Sequence, residues 1–334
     1  MRYIMIGAGA VGGGIGGCLQ QGGVDAVLVA RGDHLAALQR DGLELVTPRG
    51  TYRVPVVAVG GPEDVALAAD DVLVLSTKTH QAETALLQWV DAPVAGGGTA
   101  GERLPLITAL NGVASEWLAL RYFAHVYGAC VWMWANYTRP GRVILSGAPV
   151  IGLFHLGRVP ASAADDSDRE LLERIAADWQ RGALEVRLPD DVMPWKYRKL
   201  LTNLGNAYQA LLGDTRGVGS LIREAVEEGR TVLAEAGIEV TPDEVEAAAR
   251  TAYTVVDLSE SEGFLGGSTW QSLVRGTGNV EIDYLNGEIV LEARRHGREA
   301  PVNARVAALV RQAARRGDRA GSLTVEEIRR ALQT

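Results

Sequence analysis

Cysteine, histidine and phenylalanine are scarce in this chain, at two, five and three residues in 334. Two cysteines as far apart as Cys18 and Cys130 build no disulfide framework; they read as small buried residues of a reducing compartment. With few histidines and no cysteine pair at ligand spacing, nothing points to a metal site. Positive charge is short as well: 33 Lys and Arg stand against 41 Asp and Glu, a net charge of −8. That balance argues against nucleic acid or an anionic membrane as partner. No apolar run is long enough to span a bilayer, and Met1 and Arg2 lead straight into a strand-like segment instead of a signal peptide. A cytoplasmic protein is the expectation.

Glycine, by contrast, is abundant, at 40 residues, within a chain that is 47% hydrophobic and long enough for two domains. Residues 3–17 read YIMIGAGAVGGGIGG, so Gly7, Gly9 and Gly12 follow directly on the apolar run from Tyr3 to Ile6. In a dinucleotide-binding turn the first glycine permits the tight bend. The second lets the main chain approach a pyrophosphate, and the third lets the helix pack closely on its strand while its amino end faces the anion. A second strand-like run, residues 26–30, ends at Arg31. An NAD site usually carries a carboxylate there; a guanidinium instead offers forked donors to a 2′-phosphate, which favours NADPH over NADH. Asp33 is close enough in sequence to reach the ribose, and a solvated loop cation is the alternative for Arg31.

Short apolar runs alternate with helix-like segments through the first half, with further buried strands over 72–77 and 106–110, strand pairs around Pro48-Arg49-Gly50 and a loop over 95–104. Residues 126–158 are β-rich around the turn 139–142, and a helix follows the acidic run from Ala161. The stretch LPDDVMP, 188–194, reads as a hinge, with Asp190 and Asp191 placed to cap a helix and Pro194 in its first turn. From Trp195 onward the pattern is helical, ending in an amphipathic helix with a capping box at Thr324 and Glu327. The expected fold is α/β: a Rossmann-type dinucleotide-binding domain over 1–188, followed by an all-α domain over 189–334.

Within KLLTNLGNA, Lys199, Asn203 and Asn206 are spaced four and three apart, on one face of a helix. They form either a polar site wall or a solvated face. Glu281 lies beside Asp283 and Asn286 in NVEIDYLNG, where a solvated helix start is the alternative. Spacing does not separate these readings.

GAGAVG, VARGDHLAAL, STKTHQ (76–81), LNGV (110–113), KLLTN (199–203) and VEIDYLNGEI (280–289) together resemble the ketopantoate reductase family, in the family's order and over nearly the whole chain. The resemblance implies NADPH-dependent reduction of a small 2-keto acid, with 2-dehydropantoate to pantoate foremost. It places Lys78 and Gln81 near the cofactor and Asn111 where nicotinamide and substrate meet. Lys199 takes the role of general acid and Asn203 that of a substrate hydrogen-bond donor. Glu281 contacts the substrate hydroxyl and helps to position the lysine. A ketone reduced by hydride gains negative charge on its oxygen, which a nearby ammonium stabilises and then protonates.

The substrate side departs from the family pattern. Where the family commonly carries Ser-Met-x-x-Asp, this chain reads Gly267-Ser268-Thr269-Trp270-Gln271-Ser272-Leu273. Thr269 keeps a hydroxyl for the substrate carboxylate, but Trp270 is bulky and the acid is missing. Trp270 either lines the pocket or packs as a core aromatic. The family's second asparagine often falls eight residues after the lysine, where Ala207 stands; Asn206 precedes it. Two rivals follow: a paralogous reductase of another 2-keto acid or ketone, and a non-catalytic NADP(H)-binding regulator. Residues 281–297 offer a face for a homodimer.

Overall fold

The computed structural model describes residues 1–213, 216–258, 266–276 and 278–332. Positions 333 and 334 of the expected C-terminal helix lie outside them. Contacts divide the chain into two units: one of residues 1–110, 115–193 and 244–258, the other of 111–114, 194–243 and the described residues from 266 onward. The single cut expected between 188 and 189 is thus drawn differently. Four residues around Gly112 belong with the helical unit, and 244–258 return to the sheet unit.

In chain order the first unit begins with β1 (Arg2–Ile6), α1 (Ala10–Gln21), β2 (Ala26–Val29), α2 (Gly32–Asp41), β3 (Leu43–Thr47), β4 (Gly50–Val54), β5 (Val57–Val59) and β6 (Asp71–Leu75). It continues through α3 (Ala82–Trp89), α4 (Ala100–Arg103), β7 (Pro105–Thr108), α5 (Ala114–Ala119), β8 (His125–Trp132), β9 (Ala135–Arg139) and β10 (Arg142–Leu145). Then come β11 (Gly147–Pro149), β12 (Gly152–Arg158), α6 (Asp166–Arg181) and β13 (Leu184–Arg187). Eight strands form one sheet in the order β13-β12-β8-β7-β6-β1-β2-β5. Its pairs are parallel except β8 with β12. The chain leaves β1 towards β2 and later returns to β6 on the other side, so the strand order reverses at β1, where an open α/β sheet forms its binding crevice.

A smaller sheet, β4-β3-β10-β9, packs on the far side of α1. The glycines of α1 make this possible. A Cβ on Gly16 would stand 2.4 Å from Leu28 on one side, and one on Gly17 would stand 2.6 Å from Leu43 on the other. A helix with ordinary side chains would hold the two sheets apart. Cys18 and Cys130 are both buried and neither is in a disulfide, and burial pushes the Cys18 thiol up to about 12.

Two expectations of the sequence fail in detail. Residues 95–104 are not wholly loop, because Thr99 and Glu102 form a reciprocal capping box that starts α4. The chain beyond Trp195 is not wholly helical either: β14 (Tyr253–Val255) pairs antiparallel with β11. The second unit is otherwise built of α7 (Met193–Asn203), α8 (Asn206–Leu212), α9 (Gly219–Glu235), α11 (Ser268–Val274), α12 (Asn286–Arg295), α13 (Pro301–Arg316) and α14 (Val325–Leu332); α10 (Asp243–Ala249) leads to β14. Asp191 caps the start of α7 through the Met193 amide at 2.8 Å. The capping box of α14 forms as expected, Thr324 N–H to Glu327 at 2.8 Å and Glu327 N–H to Thr324 Oγ1 at 3.2 Å. Among the described residues no helix is long and apolar enough to cross a membrane.

Candidate active site

The glycine turn lies at the carboxyl end of β1, and each of its three glycines meets a different constraint. Gly7 has φ +104°, and a Cβ there would also stand 2.9 Å from Thr77, the residue two beyond β6. At Gly12 a Cβ would come within 2.2 Å of both the Gly7 carbonyl and Ser76 Oγ. Ser76 Oγ itself donates to the Gly7 carbonyl at 2.9 Å. A Cβ at Gly9, by contrast, would meet nothing within 4 Å. Gly9 is the N-cap of α1, whose first turn carries no acid. The amides of that turn have no acceptors within the helix and, with the dipole, suit an anion. These residues fit the pyrophosphate of a dinucleotide: tight where the helix meets the sheet, open where the main chain must be approached.

Arg31 is the N-cap of α2, two residues beyond the end of β2. Its exposed guanidinium donates to Gln88 Oε1 of α3 at 2.6 Å, so it is held by a neutral amide and not by a carboxylate. Lys78 is half-buried and starts a 3-10 turn over Thr79–Gln81, in which Gln81 N–H bonds the Lys78 carbonyl at 2.8 Å. Gln81 is exposed. The Thr77 hydroxyl is buried without a hydrogen-bond partner among the described residues, a feature the sequence did not single out.

The expected substrate residues gather in the helical unit. Lys199 and Asn203 share α7, but α7 stops at Asn203, and Asn206 opens the separate helix α8. The three therefore do not share one helix face. The turn at Leu204 and Gly205 breaks the register. That break frees the Leu204 carbonyl, which accepts a long 3.5 Å bond from the Asn286 side chain. Asn286 in turn donates to Asn303 Oδ1 at 2.9 Å, both deep in the helical core, and Asn303 is held by the Ala225 carbonyl and the half-buried Glu228. The corner carrying Glu281 is thereby tied to the end of α7. Glu281 is buried, whereas Asp283 forms a surface ion pair with Arg311. Of the three polar residues in that motif, Asn286 is structural, Asp283 solvated and Glu281 sequestered.

The loop after β7 reaches the same place. Asn203 Nδ2 donates to Asn111 Oδ1 at 3.4 Å, and a Cβ on Gly112 would stand 2.6 Å from the Tyr284 carbonyl. Only glycine, at φ +81°, lets that loop lie against the 281–284 corner. Lys199 is half-buried, while Lys196, one turn earlier, is 2% exposed. Burial of that order is unusual for lysine, and sequence spacing gives no sign of it.

Thr269 is 2% exposed and its hydroxyl is buried with no hydrogen-bond partner among the described residues. The start of α11 lies against α8, where the Gly267 amide donates to Gln209 at 2.7 Å and a Cβ on Gly267 would stand 3.4 Å from Asn206 Oδ1. Ser268, half-exposed at the first position of α11, is a hydroxyl beside Thr269 that the sequence reading passed over. Trp270 packs against the cluster of Ala210, Leu273 and Ala314, which favours the core alternative.

Comparison with known proteins gives one consistent result. Residues 3–160 match the model of the family described as ketopantoate reductase PanE/ApbA, and residues 191–314 match that of its C-terminal domain. A 2-dehydropantoate 2-reductase of Halobacterium salinarum is 29% identical over 336 residues, covering 95% of this chain and 100% of that protein. A PanE/ApbA family ketopantoate reductase from Ralstonia eutropha superposes with a TM-score of 0.75 at 27% identity, over 95% of this chain and 99% of that one. D-mandelate dehydrogenase, solved with NADH and anilino(oxo)acetate, shares the fold at TM-score 0.78 and 22% identity, over 95% and 99% of the two chains.

Proposed function

Since the chain belongs to the ketopantoate reductase family, a family of oxidoreductases, we propose that it reduces a small 2-keto acid with NADPH, 2-dehydropantoate to pantoate being the leading reaction. The observation that carries this reading is the gathering of Lys199, Asn203, Asn111 and a buried Glu281 in one helical unit, drawn from three separate stretches of sequence. A regulator that only sensed the dinucleotide would have no use for an ammonium beside two amides and a sequestered carboxylate.

Reduced nicotinamide, when bound, supplies the hydride. As charge grows on the ketone oxygen, the Lys199 ammonium stabilises it and gives up the proton that completes the alcohol. Asn203 and Asn111 orient the ketone without adding a charge that would compete with the lysine. The Glu281 carboxylate accepts from the substrate hydroxyl and helps to hold Lys199. The unpartnered Thr269 hydroxyl donates to the substrate carboxylate, which would satisfy a group otherwise left buried and unpaired. Gly7, Gly9 and Gly12 take the pyrophosphate, and Arg31 exchanges its bond to Gln88 for the 2′-phosphate. Lys78 and Gln81 flank the cofactor.

A reductase of another 2-keto acid is the second reading. It is favoured by the segment Gly267-Ser268-Thr269-Trp270-Gln271-Ser272-Leu273, which keeps a hydroxyl at Thr269 but carries the bulky Trp270 and no acid. NADPH oxidation, followed by absorbance across a panel of 2-keto acids, tests both. Fastest turnover with 2-dehydropantoate supports the first reading, and a different preferred acid supports the second. Tight NADPH binding with no turnover on any acid contradicts both.

A further inference from the structure

We propose that His34 is a positioning residue for the dinucleotide, clamping the glycine turn to the turn that carries Arg31. The inference rests on the cofactor reading above. His34 sits in the first turn of α2, three residues after Arg31. The Gly141 N–H, in the turn between β9 and β10, donates to His34 Nδ1 at 2.9 Å, so that nitrogen must accept. A ring nitrogen that accepts carries no proton, so Nε2 bears the hydrogen and donates to the Ala8 carbonyl at 2.7 Å. The Tyr137 ring packs edge-on at 4.8 Å and fixes the imidazole plane.

Ala8 is the residue between Gly7 and Gly9. Its own N–H is taken by the Val29 carbonyl at 2.9 Å. Both of its main-chain polar groups are thus tied, one to the end of β2 and the other to α2. The direction of the Gly9 main chain follows from those two anchors. One imidazole therefore links the segment that would meet the pyrophosphate with the segment that would meet the adenosine phosphate.

The clamp requires a neutral ring, because a doubly protonated imidazole cannot accept from Gly141. Burial holds His34 below its ordinary value of 6.5, partly offset by the Ala8 carbonyl, and no charged side chain contributes. The neighbouring titratable groups are consistent with that. Tyr137 presents its ring, Arg139 and Arg142 beside the Gly141 turn both reach Glu44, and Arg31 on the helix end donates to Gln88, with Asp33 adjacent in sequence.

The test is dinucleotide binding by fluorescence titration to wild type, His34→Leu and His34→Gln, with thermal stability measured in parallel. His34→Leu removes donor and acceptor together and should raise the Kd of NADPH and NADH by a common factor, roughly three- to tenfold. His34→Gln keeps one of each and should stay nearer wild type. NADH, which lacks the titrating 2′-phosphate, reports the pH dependence: its Kd should rise in wild type only as pH falls beneath the ordinary histidine range, where the lowered His34 takes up a proton, and stay flat in His34→Gln. Equal Kd values and equal pH profiles in all three proteins overturn the role. So does lowered thermal stability with an unchanged Kd, which would make the ring a strut only. A wild type that binds neither dinucleotide overturns the cofactor reading along with this one, whereas a wild type that binds no better than its variants overturns the role of His34 alone.

Discussion

The Arg31 guanidinium lies at the end of β2 with a neutral partner, so a phosphate can displace Gln88 without breaking an ion pair. Arg31→Ala should weaken NADPH by about 1.5–3 kcal/mol, the range for a hydrogen bond to a charged group, and leave NADH nearly unchanged. Titrating both dinucleotides checks this, and equal losses would remove the 2′-phosphate role. Thr269 makes a second residue-scale case. If its orphaned hydroxyl meets the substrate carboxylate, Thr269→Ser should be tolerated, and Thr269→Val should raise the apparent KM roughly ten- to a hundredfold. Kinetics of the two variants with unchanged NADPH affinity would locate the effect at the substrate. Residue identities of this kind were legible in the sequence, because a guanidinium after a strand and a lysine four before an asparagine are local patterns. Burial was not. Lys196 and Lys199 look alike in the sequence, yet the first is 2% exposed and the second half-buried, a difference set by what packs against α7.

The contrast between Gly9 and Gly12 belongs to the element, since both serve the meeting of β1, β6 and α1. Gly12→Ala would force a methyl group to 2.2 Å from the Gly7 carbonyl and should destabilise the fold by about 1–3 kcal/mol. Gly9→Ala meets open space and should leave stability within about 0.5 kcal/mol, while weakening dinucleotide binding where the methyl stands in the path of the pyrophosphate. Chemical denaturation paired with NADPH titration separates the two; a Gly9 variant with normal affinity would contradict the open-face assignment. The buried strands of the first unit and the helices α1, α2 and α6 could be read from apolar periodicity, whereas α4 could not. The break after Asn203 could not, because Gly205 adopts ordinary helical angles, φ −68° and ψ −20°, and the helix ends where the Leu204 carbonyl finds Asn286. Likewise β14 exists only because β11, about a hundred residues earlier, supplies its partner.

At the scale of the whole molecule, stability should fall in acid for an identifiable reason. His155 in β12 is 1% exposed, and burial, with help from the Arg187 charge, lowers it to about 3 from 6.5. Between those two values the unfolded chain binds a proton that the folded chain refuses, so this group's contribution is full above pH 6.5 and is lost as pH falls towards 3. The slope should be about 1.4 kcal/mol per pH unit. His155→Gln should flatten it, as urea unfolding at several pH values would show; an unchanged slope would assign the loss to other groups. The division of the chain also belongs to this scale. Hydropathy separated a sheet-rich half from a helical half, but the placement of 111–114 with the helices depends on contacts with residues such as Asn203 and Tyr284, about 90 and 170 positions away. The claim that this gathering performs the chemistry is tested most directly by comparing Lys199→Ala and Lys196→Ala for turnover of 2-dehydropantoate and for NADPH affinity. The account predicts that kcat falls about a hundredfold or more in Lys199→Ala, the scale expected for a lost general acid, with the NADPH Kd nearly unchanged. Normal turnover in Lys199→Ala, with the loss appearing in Lys196→Ala instead, would contradict it.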